Sequence, residues 1–211
     1  MRAEYPAINF VSRIRQTEAD LSVSYIVAGA GYSVYFTQYA TRITHDEIAM
    51  GTDQHIFEQL NKLRDSATVI IGIGNVLKGD DGVGPLVCEQ LQRTKVRAEL
   101  IDAGTVPENY IQPIIKKTPQ NLLVIDAIDF GASAGTIRIF KPEQLNSSVV
   151  STHTLSPRLF VDVVCRSIRV DVYFVGIQPA QTQLGQSISP QVSQAVQQLS
   201  QILAEVFPLT E

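Results

Sequence analysis

The run from Val69 to Pro85, VIIGIGNVLKGDDGVGP, constrains the fold of this chain more than any other stretch. Val69, Ile70 and Ile71 form a short apolar run that breaks at Gly72 and Gly74, the pattern of a strand packed on both faces. Past a turn at Asn75 comes an acidic, glycine-rich loop that opens onto an apolar stretch. Asp80 and Asp81 there suit a helix N-terminus, where carboxylates oppose the positive end of the dipole. A strand that delivers carboxylates to its carboxyl end is where open α/β sheets place their chemistry.

From about residue 67 the pattern alternates strand and helix at the spacing of βαβ units, which predicts an α/β fold with a mostly parallel five-stranded sheet. Strands are expected at 68–73, 97–102, 121–126, 136–140 and 170–176, and helices at 83–93, 108–117, 155–167 and 189–206. The strand at 136–140 follows Gly131 and Gly135 too closely for a helical crossover and should run antiparallel to its neighbour. The last helix carries an apolar stripe of Val192, Val196, Leu199, Ile202 and Leu203, with its glutamines on a solvated face.

Residues 1–65 have a different texture and hold five of the seven tyrosines. Ser24 to Ala40 reads as two strands joined around Gly29 to Gly31. Thr44 and Glu47 fit a capping box, and Thr52 opens a further helical pattern through Ile56, Leu60 and Leu63. We read 1–65 as a small N-terminal α+β extension, too short to bury much core alone, and 66–211 as the main domain.

With 17 basic and 21 acidic residues, the chain has a net charge of −4 and neither the basic footprint of a nucleic-acid binder nor a polybasic membrane patch. No signal-peptide pattern and no apolar run of about 18 residues occurs, so neither secretion nor membrane insertion is expected and the cytoplasm is the default. Cys88 and Cys165 form no CxxC and lie in apolar helical surroundings, where free cysteine behaves as a small buried hydrophobe.

Three side chains are expected on one rim of the sheet: Asp81 after the first strand of the domain, Asp126 at the end of LLVID, and His153 in the loop SSVVSTHT. Two carboxylates and an imidazole, with positions left for water or substrate, suit a divalent transition metal. Their spacing leaves a structural reading open, in which Asp126 bonds nearby backbone donors and His153 is an ordinary loop histidine. His153 is nonetheless the one imidazole of the domain, since His45 and His55 lie in the extension. The rival reading of the glycine loop is a nucleotide turn. Gly72, Gly74 and Gly79 do not make GxGxxG, no Walker lysine precedes a Ser or Thr, and Asp80 and Asp81 would repel a pyrophosphate.

The segments GIGNVLKGDDGVGP, IDAGTVPEN, LLVIDAIDFG, STHTLS and VGIQP, in this order and at these separations, resemble those of the hydrogenase maturation endopeptidases, nearest the hydrogenase 3 type. The resemblance covers about residues 67–207. It implies a three-layer α/β/α sandwich and removal of a C-terminal extension from a [NiFe]-hydrogenase large-subunit precursor after nickel is installed. It also implies that Asp81, Asp126 and His153 contact nickel carried by the substrate, so that the enzyme needs no tightly bound cofactor of its own. Asp102 lies in a family motif and is a candidate catalytic group, against the alternative that it holds its own turn. Family members usually begin at the first strand, so the resemblance says nothing about residues 1–65. Two other functions compete: a non-catalytic hydrogenase assembly chaperone, and a peptidyl-tRNA hydrolase-like enzyme, which expects an early histidine and a basic surface that this sequence lacks.

Overall fold

The apolar run Thr68–Ile73 is buried along its whole length, as a strand covered on both faces must be. In the computed structural model the backbone is described for residues 11–12, 22–29, 32–39, 45–145, 150–151 and 157–209. The chain divides into two compact units, Met1–Thr52 and Asp53–Glu211. In the first, β2 (Ser22–Gly29) and β3 (Tyr32–Tyr39) pair antiparallel as the expected hairpin, and β1 (Val11–Ser12) adds to β2.

Helix α1 (His45–Asn61) begins in the first unit and ends in the second. It is one continuous helix through Gly51 and Thr52, where the sequence suggests a capped start followed by a second pattern; Thr44 lies outside the described residues. Its Ile56 and Leu60, and Leu63 beyond its end, are buried in the same cluster as Ile70, Leu91 and Leu199.

The second unit continues with β4 (Thr68–Ile73), α2 (Val83–Thr94), β5 (Glu99–Gly104), α3 (Ile111–Lys117), β6 (Asn121–Asp129) and β7 (Ile137–Phe140). Then come β8 (Val150–Ser151), α4 (Pro157–Ser167), β9 (Asp171–Ile177) and α5 (Pro190–Val206). The sheet order is β5-β4-β6-β9-β7, with β8 paired to β6 off this path. Strands β5, β4, β6 and β9 are parallel, and β7 runs antiparallel to β9, as its short connection requires. The buried side chains fall into two groups. Val87 and Leu91 of α2 and Val196, Leu199 and Leu203 of α5 cover one face, and Ile114 of α3 with Phe160, Val161 and Val164 of α4 cover the other. This is the α/β/α sandwich.

Helix α2 lies against the sheet at a distance only glycine permits. A Cβ on Gly72 would stand 2.3 Å from the carbonyl oxygen of Gly84, and one on Gly84 would stand 2.3 Å from that of Ile73 and 2.7 Å from that of Ile125. Backbone on both sides cannot yield, so this pair fixes where α2, and the turn that precedes it, sit on β4 and β6.

The two cysteines part company. Cys88 is buried on α2 with its Sγ 3.4 Å from the Ile101 carbonyl oxygen, and burial, aided by the charge of Asp102, pushes its thiol up to about 12. Cys165 is exposed, contrary to the sequence expectation, because the phase of α4 is set by Phe160, Val161 and Val164 and turns position 165 outward. Iodoacetamide at mild alkaline pH is therefore expected to modify one of the two thiols in the folded protein, Cys165, and Cys88 only after denaturation. Peptide mass mapping reads this, and rapid labelling of Cys88 in the native state would contradict it.

Candidate active site

The doubly wound topology has one switch point in its parallel part. From β4 the chain crosses by α2 on one face to β5, then returns by α3 on the other face to β6, on the opposite side of β4. The crevice beyond the carboxyl ends of β4 and β6 is where such sheets bind ligands. The acidic turn Gly79–Gly82, a single 3-10 turn, follows β4 there, and Asp126 lies on β6 next to Ile125, the partner of Gly72 in β4. The switch point is thus flanked by Asp81, 1% exposed, and Asp126, fully buried.

The two aspartates of the acidic turn have different tasks. Asp80 is saturated: its Oδ2 accepts from the backbone N–H groups of Ala180 (2.8 Å) and Gln181 (3.0 Å) and from the Ser189 hydroxyl (3.0 Å), and its Oδ1 accepts from the Ser189 N–H (2.6 Å). Four donors fill the acceptor sites of a carboxylate. Asp81 instead serves the loop above it, its Oδ2 accepting the Asn75 N–H at 3.1 Å, and that same N–H also reaches the Asp81 carbonyl oxygen. The side chain of Asn75 in turn accepts the Leu77 N–H at 3.0 Å. A Cβ on Gly74 would lie 2.0 Å from the Asp81 carbonyl oxygen, which explains a glycine directly before the turn.

Strand β6 runs three residues further than the sequence indicates, to Asp129, because β8 pairs antiparallel with its end, Ile128 opposite Ser151 and Asp129 opposite Val150. Asp126 therefore sits inside the strand, on the face of Val124 and Ile128 that α3 and α4 cover. Its β4 neighbour has already left the ladder, since that pairing ends at Gly72 and Ile125. His153 lies outside the described residues. Among the described residues no group of three or more His, Cys, Asp or Glu is placed to hold a metal ion. Asp102 is exposed on β5, and its Oδ1 accepts the Gly104 N–H at 3.1 Å, a bond that closes its own turn.

One participant was not singled out from sequence. Gln178, in VGIQP, is buried and ties the end of β9 to the loop after β6: its Oε1 accepts from Phe130 (2.9 Å) and Ala132 (3.2 Å), and its Nε2 donates to Asp129 Oδ1 (3.0 Å). That amide and the Gly131 N–H hold the Asp129 carboxyl below the usual carboxylate range. A glutamine directly after a buried apolar strand was the available signal.

The family model for the hydrogenase maturation protease matches residues 85–206, more than half of the chain. The chain belongs to the hydrogenase maturation protease family. It is 37% identical over 113 residues to the hydrogenase 3 maturation protease of Escherichia coli K12, covering 53% of this chain and 72% of that protein. Its structure is similar to the crystal structure of a [NiFe] hydrogenase maturation protease, HycI, from Thermococcus kodakarensis KOD1, with a TM-score of 0.64, 29% identity, and coverage of 71% of this chain and 97% of that one. It also resembles the solution structure of the endopeptidase HycI from E. coli, with a TM-score of 0.60, 31% identity and coverage of 66% and 90%. The chain is thus a peptide hydrolase of hydrogenase maturation, which removes the chaperone and peptidyl-tRNA hydrolase readings. No helix among the described residues is long and apolar enough to cross a membrane.

Proposed function

We propose that this endopeptidase removes the C-terminal extension of a [NiFe]-hydrogenase large-subunit precursor in the cytoplasm, and that it recognises the nickel already carried by that precursor through Asp81, Asp126 and His153. The observation that carries the reading is the pair of buried carboxylates at the switch point, one following β4 and one on β6. Carboxylates withdrawn from water there favour a cation brought by a ligand over an anion. In the sequence His153 follows two residues after Ser151, which pairs with Ile128 at the end of β6.

A partial ligand set rewards only the loaded substrate: the precursor supplies nickel and its own ligands, and the enzyme completes the coordination. That contact aligns one peptide bond in the crevice. Nickel supplies Lewis acidity toward the scissile carbonyl or an attacking water. Asp102 has one oxygen in the Gly104 turn, and through the other it acts as base. Asp102→Asn keeps an acceptor for that turn, so loss of cleavage with an unchanged melt reads the base role. Residues upstream of the α/β unit contribute no group to this chemistry.

Incubation with nickel-loaded and nickel-free precursor, followed by mass analysis, tests the proposal. Only the loaded precursor is expected to lose its C-terminal segment, including when the enzyme has first been dialysed against a chelator, and His153→Ala is expected to abolish the loss. Equal cleavage of both forms, or stoichiometric nickel or zinc retained by the enzyme through chelation, would sink recognition through a substrate-borne metal.

A further inference from the structure

Asp80 is fully buried, and the groups that satisfy it lie about a hundred positions further along the chain, in the β9–α5 connection. Ser189 is the N-cap residue of α5, yet its hydroxyl makes no capping bond to its own helix and turns to Asp80 instead. The Asp80 carboxylate thereby sits at the positive end of a 17-residue helix, the placement that offsets the cost of a buried charge. The attachment is reinforced on both sides. The Asp80 N–H donates to the Gln181 carbonyl oxygen at 3.0 Å, and the Gly185 N–H donates to that of Leu77 at 2.8 Å. The acidic turn is therefore clamped from outside by the 179–189 loop, while from inside it rests on β4 through Gly74.

We infer that Asp80 is a positioning residue of the active site, clamping the acidic turn to the N-terminus of α5 so that the adjacent Asp81 is held at the switch point. The inference rests on the reading of Asp81 as a group that meets the substrate. In the pair Asp80–Asp81, one carboxylate takes up four donors from the β9–α5 connection and the next, one residue on, bonds the Asn75 N–H of the loop that follows β4. A turn this short transmits displacement directly. Replacing an acceptor oxygen of Asp80 by an amide NH2 sets donor against donor at Ser189 or at Ala180 and Gln181, and the turn must shift to relieve it. A shift of the order of 1 Å at an aligning group costs up to about a hundredfold in rate.

Asp80→Asn is therefore expected to lower kcat for cleavage of nickel-loaded precursor at least about tenfold while KM stays within about threefold, because alignment rather than docking is lost. The same variant is expected to speed hydrogen exchange at the Asn75 amide, whose bond to Asp81 reports the turn without any substrate. Should Asp80→Asn fail to fold, Ser189→Ala removes the hydroxyl contact alone, and the same two changes are expected at about two- to threefold. Parental kcat together with unchanged Asn75 exchange in a folded variant would overturn the clamp. Asp81→Asn run alongside separates the two readings: if it cleaves at the parental rate, the assignment of Asp81 fails, and Asn75 exchange still decides whether Asp80 holds the turn.

Discussion

Asp126→Asn is expected to abolish cleavage of the nickel-loaded precursor while leaving the sheet intact. Asparagine has nearly the shape of aspartate and keeps one acceptor oxygen, so the packing between Val124 and Ile128 on the α3 and α4 face is retained. What is lost is the carboxyl group itself, at a fully buried position beside the switch point. Removing a preorganised electrostatic contact of this kind costs about 10²–10³-fold in rate, and the nickel contact proposed for Asp126 puts the expected loss at the upper end of that range. Thermal melts by circular dichroism should therefore overlay those of the parent while product falls below detection in a standard time course. Near-parental cleavage would assign Asp126 to the fold alone, and a large fall in melting temperature with proportionate activity loss would do the same.

How far the site could be read in the sequence depends on how local its causes are. The run Val69–Ile71 between glycines needs nothing beyond itself to be a buried strand, and β4 falls at the expected residues. The antiparallel β7 follows from a short connection and was equally legible. The end of β6 was not, because Ala127 is held as strand by Ile177 of β9, and Ile128 and Asp129 by two residues of β8 that no local pattern announces. The division of labour between Asp80 and Asp81 was hidden for the same reason: the donors that saturate Asp80 come from Ala180, Gln181 and Ser189. Cys165 shows a different failure, since Val163 and Val164 before it are apolar but only the phase of α4 decides which residues face inward. The continuous α1 shows another. A glycine inside a helix costs only about 1 kcal/mol relative to alanine, which contacts of the buried face readily offset.

That buried face also sets where the chain can be shortened. A protein that begins at Ser66 is expected to lose its cooperative fold, whereas one that begins at Asp53 is expected to keep both fold and cleavage. Ile56, Leu60 and Leu63 are each 5% exposed or less and belong to the layer built by α2, α5 and one face of the sheet. Complete burial of such a side chain contributes about 1.5–3 kcal/mol, so removing the three forfeits roughly 5–9 kcal/mol, against a total stability of about 5–15 kcal/mol for a domain. Polar ties are lost with them: Gln198 Nε2 donates to Asp53 Oδ1, and Arg64 Nη2 donates to the Glu205 carbonyl oxygen at 2.9 Å, both linking this segment to α5. Helix α5 is also the element whose N-terminus receives Asp80, so loosening it reaches the acidic turn as well as the core. Thermal melts of the two shortened proteins, with cleavage of nickel-loaded precursor measured in parallel, test the boundary. A Ser66 start that melts with the parental midpoint would show that α1 only covers the sheet. An Asp53 start that folds but stays inactive at high precursor concentration would show instead that residues 1–52 complete the active site.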